Sequence, residues 1–199
     1  DRLAAFVEYP ERFMNTHWLN PAYLIPLVEV SPGESTAPEA LRKMMELLEA
    51  AGKMPVKVSN RPGFIVPRIQ ALAMNEAARL IEEGVASPED VDKASRYGFG
   101  IRFAVLGLLE FIDFGGGDIL YYASNYLQDA LQDKRYAPAD IIVKNMEKGD
   151  IGMKTGRGFY DFTQMDVSAY QKETIRKFVD LLKHLQLIPA PYEGEKDSG

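Results

Sequence analysis

The spacing of apolar and polar positions changes period along the chain. Residues 13–19, Phe13-Met14-Asn15-Thr16-His17-Trp18-Leu19, read as a short strand. Asn20-Pro21 interrupts it, and Leu24 to Val30 reads as a second strand. The pattern then turns helical: Leu41, Met44, Met45 and Leu48 fall on one face behind Thr36-Ala37-Pro38-Glu39, whose spacing predicts a capping box, and Gly52 ends the helix. Residues 56–59 predict a third strand, completing a strand–helix–strand unit. Beyond Arg61-Pro62-Gly63 a helix over 64–83 is apolar on most sides, with Phe64, Ile65, Val66, Ile69, Leu72, Met74, Leu80 and Ile81. Ser87-Pro88-Glu89-Asp90 caps a further helix that Gly98 should stop. Helices are expected over 103–112, 117–132, 138–148 and 167–186, and a helical stretch over 1–9. The polar, proline-containing tail 189–199 should fray. The pattern predicts a mainly α chain: residues 1–61 the end of an α/β sheet domain, residues 62–199 a helical domain.

Composition narrows the functional classes. A net charge of −6 argues against a nucleic-acid or anionic-membrane surface. The absence of cysteine excludes disulfides and thiolate chemistry, and two histidines leave little for a metal site. No signal peptide and no apolar run near the length of a membrane span is found, which predicts a cytoplasmic protein. The chain begins at Asp1 rather than Met, which suggests a truncated or processed product.

His17 and Glu29 are the first candidates for chemistry. His17 stands at the end of a strand before a turn, where α/β sheets place ligand sites. Glu29 lies within the apolar run Leu27-Val28-Glu29-Val30, where a carboxylate is costly without a partner. Antiparallel pairing about Tyr23 sets positions 17 and 29 opposite each other, with Cβ atoms roughly 4.5–5.5 Å apart. A His–Glu dyad follows, in which the carboxylate fixes the imidazole tautomer and the imidazole moves a proton. The spacing alone leaves open a structural histidine and an edge glutamate facing solvent.

Other residues carry weaker signals. Gly115-Gly116-Gly117 and Gly156-Arg157-Gly158 are turn material, and no stretch matches G-x-G-x-x-G. Arg102 at a helix entry and Lys154 read on composition as solvated surface cations. Glu76 in an apolar helix reads equally as a paired structural residue, and Tyr121, Tyr122 and Tyr126 as helix packing.

Taken together, these pieces resemble the 3-hydroxyacyl-CoA dehydrogenase family. Its H-x-x-N-P motif stands here as His17-Trp18-Leu19-Asn20-Pro21, and its V-E-V strand end as Val28-Glu29-Val30. The junction P-G-F-I-V-N-R is matched by Pro62-Gly63-Phe64-Ile65-Val66-Pro67-Arg68. The helix E-A-x-x-L-x-E-E-G is matched from Glu76 to Gly84, and the closing K-T-G-x-G-F-Y from Lys154 to Tyr160. The resemblance implies the edge of a Rossmann-type domain followed by a helical substrate and dimerisation domain like the C-terminal domain of 6-phosphogluconate dehydrogenase. It implies NAD as cofactor and a 3-hydroxyacyl-CoA, such as 3-hydroxybutyryl-CoA, interconverted with its 3-keto form. His17 and Glu29 would be the catalytic pair, and Asn20 and Lys154 match positions that touch the cofactor.

Two departures bear on the substrate. The junction asparagine, near the substrate carbonyl in the family, is Pro67 here, which supplies no amide. Gly100-Ile101-Arg102-Phe103 resembles the G-x-R-[WY] pattern of the branch that oxidises free hydroxy acids, where Arg102 could clamp a carboxylate bidentately. Pro67 and Arg102 are therefore the substrate-site candidates. The family's Gly-rich loop, ribose-binding acid and substrate-contacting serine have no counterpart in these residues. The competing expectations are a dehydrogenase of a free hydroxy acid and a non-catalytic helical dimerisation module. In either case a homodimer is expected, with no nucleic-acid or membrane partner.

Overall fold

The computed structural model describes residues Arg2 to Ile188; the tail expected to fray lies outside the described residues. The chain divides into two compact units, one ending at Ala86 and one starting at Ser87.

The first unit is built on a three-stranded sheet. Strand β1 (Met14–Trp18) runs antiparallel to β2 (Leu27–Pro32), and β2 runs parallel to β3 (Met54–Lys57) across helix α1 (Pro38–Ala50). A parallel pair needs a crossover, and α1 is that crossover. Register sorts the side chains. Val28 and Val30 turn to one face and are completely buried with Leu48, against Met14, Leu41, Met44 and Met45. Each fully buried Val or Leu contributes about 1.5–3 kcal/mol, so this layer anchors the unit. His17 and Glu29 are direct partners in the register and share the other face.

Local details differ from expectation. The second strand starts at Leu27, because the N–H groups of Leu24 and Ile25 donate to Pro21 O at 2.9 and 3.0 Å and close a turn instead. The third strand lies at 54–57 rather than 56–59. The capping box does not form: Thr36 Oγ1 accepts from Gly33 N–H at 2.8 Å and donates to Phe13 O at 2.5 Å, leaving α1 without a side-chain cap. Among the described residues of the opening stretch expected to be helical, a 3₁₀ turn at Ala4–Phe6 is the only helical element.

Helix α2 (Val66–Glu82) closes the first unit. Pro67 sits in its first turn, where a missing N–H is one of the donors no helix satisfies internally.

The second unit is helical. Ser87 caps α3 (Pro88–Ala94) as expected, accepting from Asp90 N–H at 3.1 Å. Gly98 does not stop it. A π-helical turn, Ser95–Gly100, carries the chain directly into α4 (Ile101–Val105); such turns are rare and concentrate at functional sites. The expected helix over 103–112 is broken, because Leu106 and Gly107 are extended and α5 (Leu108–Gly115) starts afresh. Then follow α6 (Gly117–Leu131), α7 (Asp140–Lys148) and α8 (Val167–His184). Tyr170 on α8 donates its hydroxyl to Glu110 on α5, and burial together with that carboxylate pushes its pKa up to about 12. Among the described residues no helix is long and apolar enough to cross a membrane.

Candidate functional site

The sheet delivers His17 and Glu29 to each other. His17 Nδ1–H donates to Glu29 Oε2 at 2.7 Å. The His17 side chain is 35% exposed and that of Glu29 is 0% exposed, so the pair has a wet end and a sealed end. The other oxygen of Glu29 accepts from Ile65 N–H at 2.8 Å and Val66 N–H at 3.0 Å. These donors belong to the first turn of α2, where backbone N–H groups lack internal partners and the helix dipole favours negative charge. Burial works to raise the pKa of Glu29. The hydrogen bonds from Val66, His17 and Ile65 outweigh burial and hold it below its ordinary value. An ionised carboxylate only accepts, so the Nδ1 atom must carry the proton. In the neutral imidazole Nε2 then carries the lone pair, an arrangement that can serve as a general base.

The turn that aims α2 at Glu29 is Arg61-Pro62-Gly63-Phe64. Gly63 (φ +80°) and Phe64 (φ +46°) are both left-handed, and the Phe64 ring lies 5.9 Å from the His17 ring between centroids.

The remaining candidates are distributed over both units. Asn20 is exposed in the loop after β1, joined to Pro21 by a cis peptide. That loop is pinned by Lys53, whose Nζ donates to Ala22 O at 2.6 Å and Ile25 O at 3.1 Å. Pro67 is half-buried beside the donors that reach Glu29. In the second unit Arg102 is exposed, its guanidinium 5.7 Å from the Phe111 ring centroid, and Phe111 packs edge-on against Phe103. Lys154 Nζ donates to Asp118 Oδ2 at 2.7 Å, and the ammonium holds the Asp118 carboxyl below its ordinary value. Glu76 pairs with Arg79 along α2 at 3.5 Å.

Sequence reasoning missed two features. One is the pair of backbone donors at Ile65 and Val66. The other is Asp113, 2% exposed, whose carboxylate accepts from Phe159 N–H at 3.0 Å and Tyr160 N–H at 2.9 Å. Asp113 thereby docks the segment that carries Lys154. A Cβ on Gly158 would sit 2.1 Å from Asp113 Oδ1, so the close approach requires glycine there. The available signal was an acid flanked by apolar residues, Phe111-Ile112-Asp113-Phe114, just before three glycines.

With this geometry in hand, comparison with known proteins is specific. Residues 1–61 match the family model of the 3-hydroxyacyl-CoA dehydrogenase NAD binding domain, and residues 63–162 match that of the C-terminal domain. The chain is 34% identical over 186 residues to 5-formyl-3-hydroxy-2-methylpyridine 4-carboxylate 5-dehydrogenase of Mesorhizobium japonicum, covering 93% of this chain and 60% of that protein. It is 37% identical over 161 residues to 3-hydroxybutyryl-CoA dehydrogenase of Bradyrhizobium diazoefficiens, covering 81% of this chain and 54% of that protein. Among solved structures, a 3-hydroxyacyl-CoA dehydrogenase from Archaeoglobus fulgidus superposes with a TM-score of 0.79 at 31% identity, over 94% of this chain and 64% of that one. The chain therefore spans somewhat over half the length of the curated relatives it matches.

Proposed function

Because the chain belongs to the 3-hydroxyacyl-CoA dehydrogenase family, we propose that it carries the proton-transfer site of an NAD-dependent dehydrogenase. Its substrate is a 3-hydroxyacyl-CoA such as 3-hydroxybutyryl-CoA, interconverted with the 3-keto form. The observation that carries this reading is the 2.7 Å His17–Glu29 bond with the carboxylate sealed behind two helix N–H groups. His17 Nε2 accepts the substrate hydroxyl proton while the carbon's C–H electron pair departs as hydride and the C=O bond forms. Glu29 stabilises the resulting imidazolium. In reverse His17 returns that proton to the ketone oxygen. NAD supplies the hydride acceptor when bound.

Asn20 in the first unit and Lys154 in the second are each a candidate for a cofactor contact. Lys154 already grips a carboxylate, which is the chemistry an anionic ligand needs, and the Asn20 side chain is exposed. No Gly-rich dinucleotide turn occurs among these residues, so the two account for only a fraction of a dinucleotide's contacts. The test is a substrate panel followed by NADH absorbance, in the polypeptide that carries this sequence. His17→Gln should lower kcat by about a hundred- to ten-thousand-fold with an unchanged melting curve. A His17→Gln variant with parental kcat would overturn the reading.

A second reading is favoured by one observation. Among the described residues Arg102 has a ring beneath it and no acid beside it. A guanidinium fork in that condition suits a planar carboxylate. The relative matched over 93% of this chain is named for a pyridine carboxylate substrate. On this reading the substrate is a hydroxy acid with a free carboxylate, and Pro67 replaces an amide such a substrate does not need. Arg102→Lys should cost about 1.5–3 kcal/mol in kcat/KM on free acids and little on the thioester. An unchanged ratio between the two substrates would remove Arg102 as selector.

The reading includes a homodimer. Leu72 and Met74 on α2 and Tyr122 and Tyr126 on α6 are exposed apolar residues of the kind dimers cover. Light scattering giving a monomer mass at micromolar concentration would refute it.

A further inference from the structure

At position 64 the backbone and the side chain make opposite demands. Phe64 has φ +46° and follows Gly63 at φ +80°. In this region the Cβ of an L-residue crowds the following carbonyl, a cost that glycine avoids. Such residues persist where the surroundings over-determine them, and they cluster at functional sites. The backbone reason is visible: the turn brings Ile65 N–H and Val66 N–H onto Glu29 Oε1. Glycine would meet that need at lower cost, so the reason for phenylalanine must lie in its ring.

The ring lies beside the His17 imidazole. Its centroid is 5.9 Å from that of the His17 imidazole, with the planes inclined at 41°. Glu29 holds the imidazole at a single atom, Nδ1. One hydrogen bond fixes a point and a direction but leaves the ring free to swing about the bond axis. A second ring packed beside it removes that freedom.

We infer that Phe64 is a positioning residue of the proton-transfer site. Its ring sets the plane of the His17 imidazole and so the direction of Nε2, while its left-handed backbone delivers the two donors that keep Glu29 charged. Orientation of this kind acts on the chemical step: a displacement of about 1 Å can cost roughly a hundred-fold in rate. The inference rests on the dehydrogenase reading of His17, and the experiment separates the two.

Phe64→Gly, Phe64→Ala and Phe64→Tyr are compared with the parent and with His17→Gln in the polypeptide that carries this sequence, by melting temperature, kcat and KM. The glycine variant should melt at or above the alanine variant, because it relieves the left-handed strain that alanine keeps. Both should lose kcat by about ten- to a hundred-fold with little change in KM, and Phe64→Tyr, which keeps the ring, should recover most of the loss. A ring with a merely structural role would instead lower melting temperature and kcat together. Parental kcat in the glycine or alanine variant, with His17→Gln inactive, would overturn this inference alone. A glycine variant that melts below the alanine variant would also overturn it. Activity surviving in His17→Gln would instead remove the dehydrogenase reading beneath it.

Discussion

Glu29→Gln separates the two roles of the buried carboxylate, orienting and charging, with almost no change of shape. Glu29 is completely buried and accepts three hydrogen bonds, from Ile65 N–H, Val66 N–H and His17 Nδ1–H. The glutamine oxygen can keep the two backbone donors. What is lost is the charged bond to His17, so the stability cost is about 1.5–3 kcal/mol. Glu29→Ala strands all three donors and should cost about 3–5 kcal/mol, the scale of a broken buried pair. The effect on chemistry is larger. The amide NH₂ facing His17 is a donor, so Nδ1 must become the acceptor and the proton moves to Nε2. The base then has no lone pair where the substrate needs it, and kcat should fall roughly ten-thousand-fold, the scale of a wrong tautomer. The assay is steady-state NADH absorbance alongside a urea melt of each variant. A Glu29→Gln enzyme with kcat within about tenfold of the parent would show that the carboxylate does not set the tautomer. A Glu29→Gln melt as damaged as that of Glu29→Ala would show that the backbone bonds are not retained.

Further outcomes follow from the same contacts. Because the Glu29 pKa in the folded protein lies below its ordinary value of 4.5, its stabilisation is complete above that pH. It is lost as the pH falls through the lower folded value. Urea midpoints below pH 4.5 should drop more steeply in the parent than in Glu29→Gln, and parallel profiles would contradict this. Asp113→Ala removes the acceptor of the Phe159 and Tyr160 N–H groups and should cost about 1–3 kcal/mol, with faster hydrogen exchange at those two amides; unchanged exchange would show the segment is held otherwise. Gly158→Ala places a Cβ 2.1 Å from Asp113 Oδ1 and should destabilise by about 1–3 kcal/mol, whereas Gly98→Ala, with no atom near and no positive φ, should be close to neutral. Equal melting temperatures for the two alanine variants would refute the close-approach argument.

What was legible in the sequence and what was not divide along physical lines. The opposition of His17 and Glu29 followed from strand alternation and a turn between them, both local properties, and the register bears it out. The apolar face of α1 was equally plain, because Leu41, Met44, Met45 and Leu48 recur at helical spacing and do pack on the sheet. The capping box failed because Thr36 found partners at Gly33 and Phe13, the latter brought close by tertiary structure. Gly98 was misleading because a π turn absorbs it within a continuing helix. The backbone N–H groups that donate to Glu29 and to Asp113 lie 36 or more residues away in the chain. Every residue but proline offers such a group, so no side-chain pattern announces them.

The sealing of Glu29 by α2 ties reactivity to assembly. Before the first turn of α2 is laid down, Glu29 lacks two of its three donors, and the carboxylate that orients the imidazole is held by His17 alone. A chain with only β1 and β2 paired therefore already sets His17 opposite Glu29 but holds its base less firmly. A substitution that only frays the start of α2 would be noticed first as a slow enzyme and only later as an unstable one. Turnover thus serves as a more sensitive gauge of that junction than any melting curve.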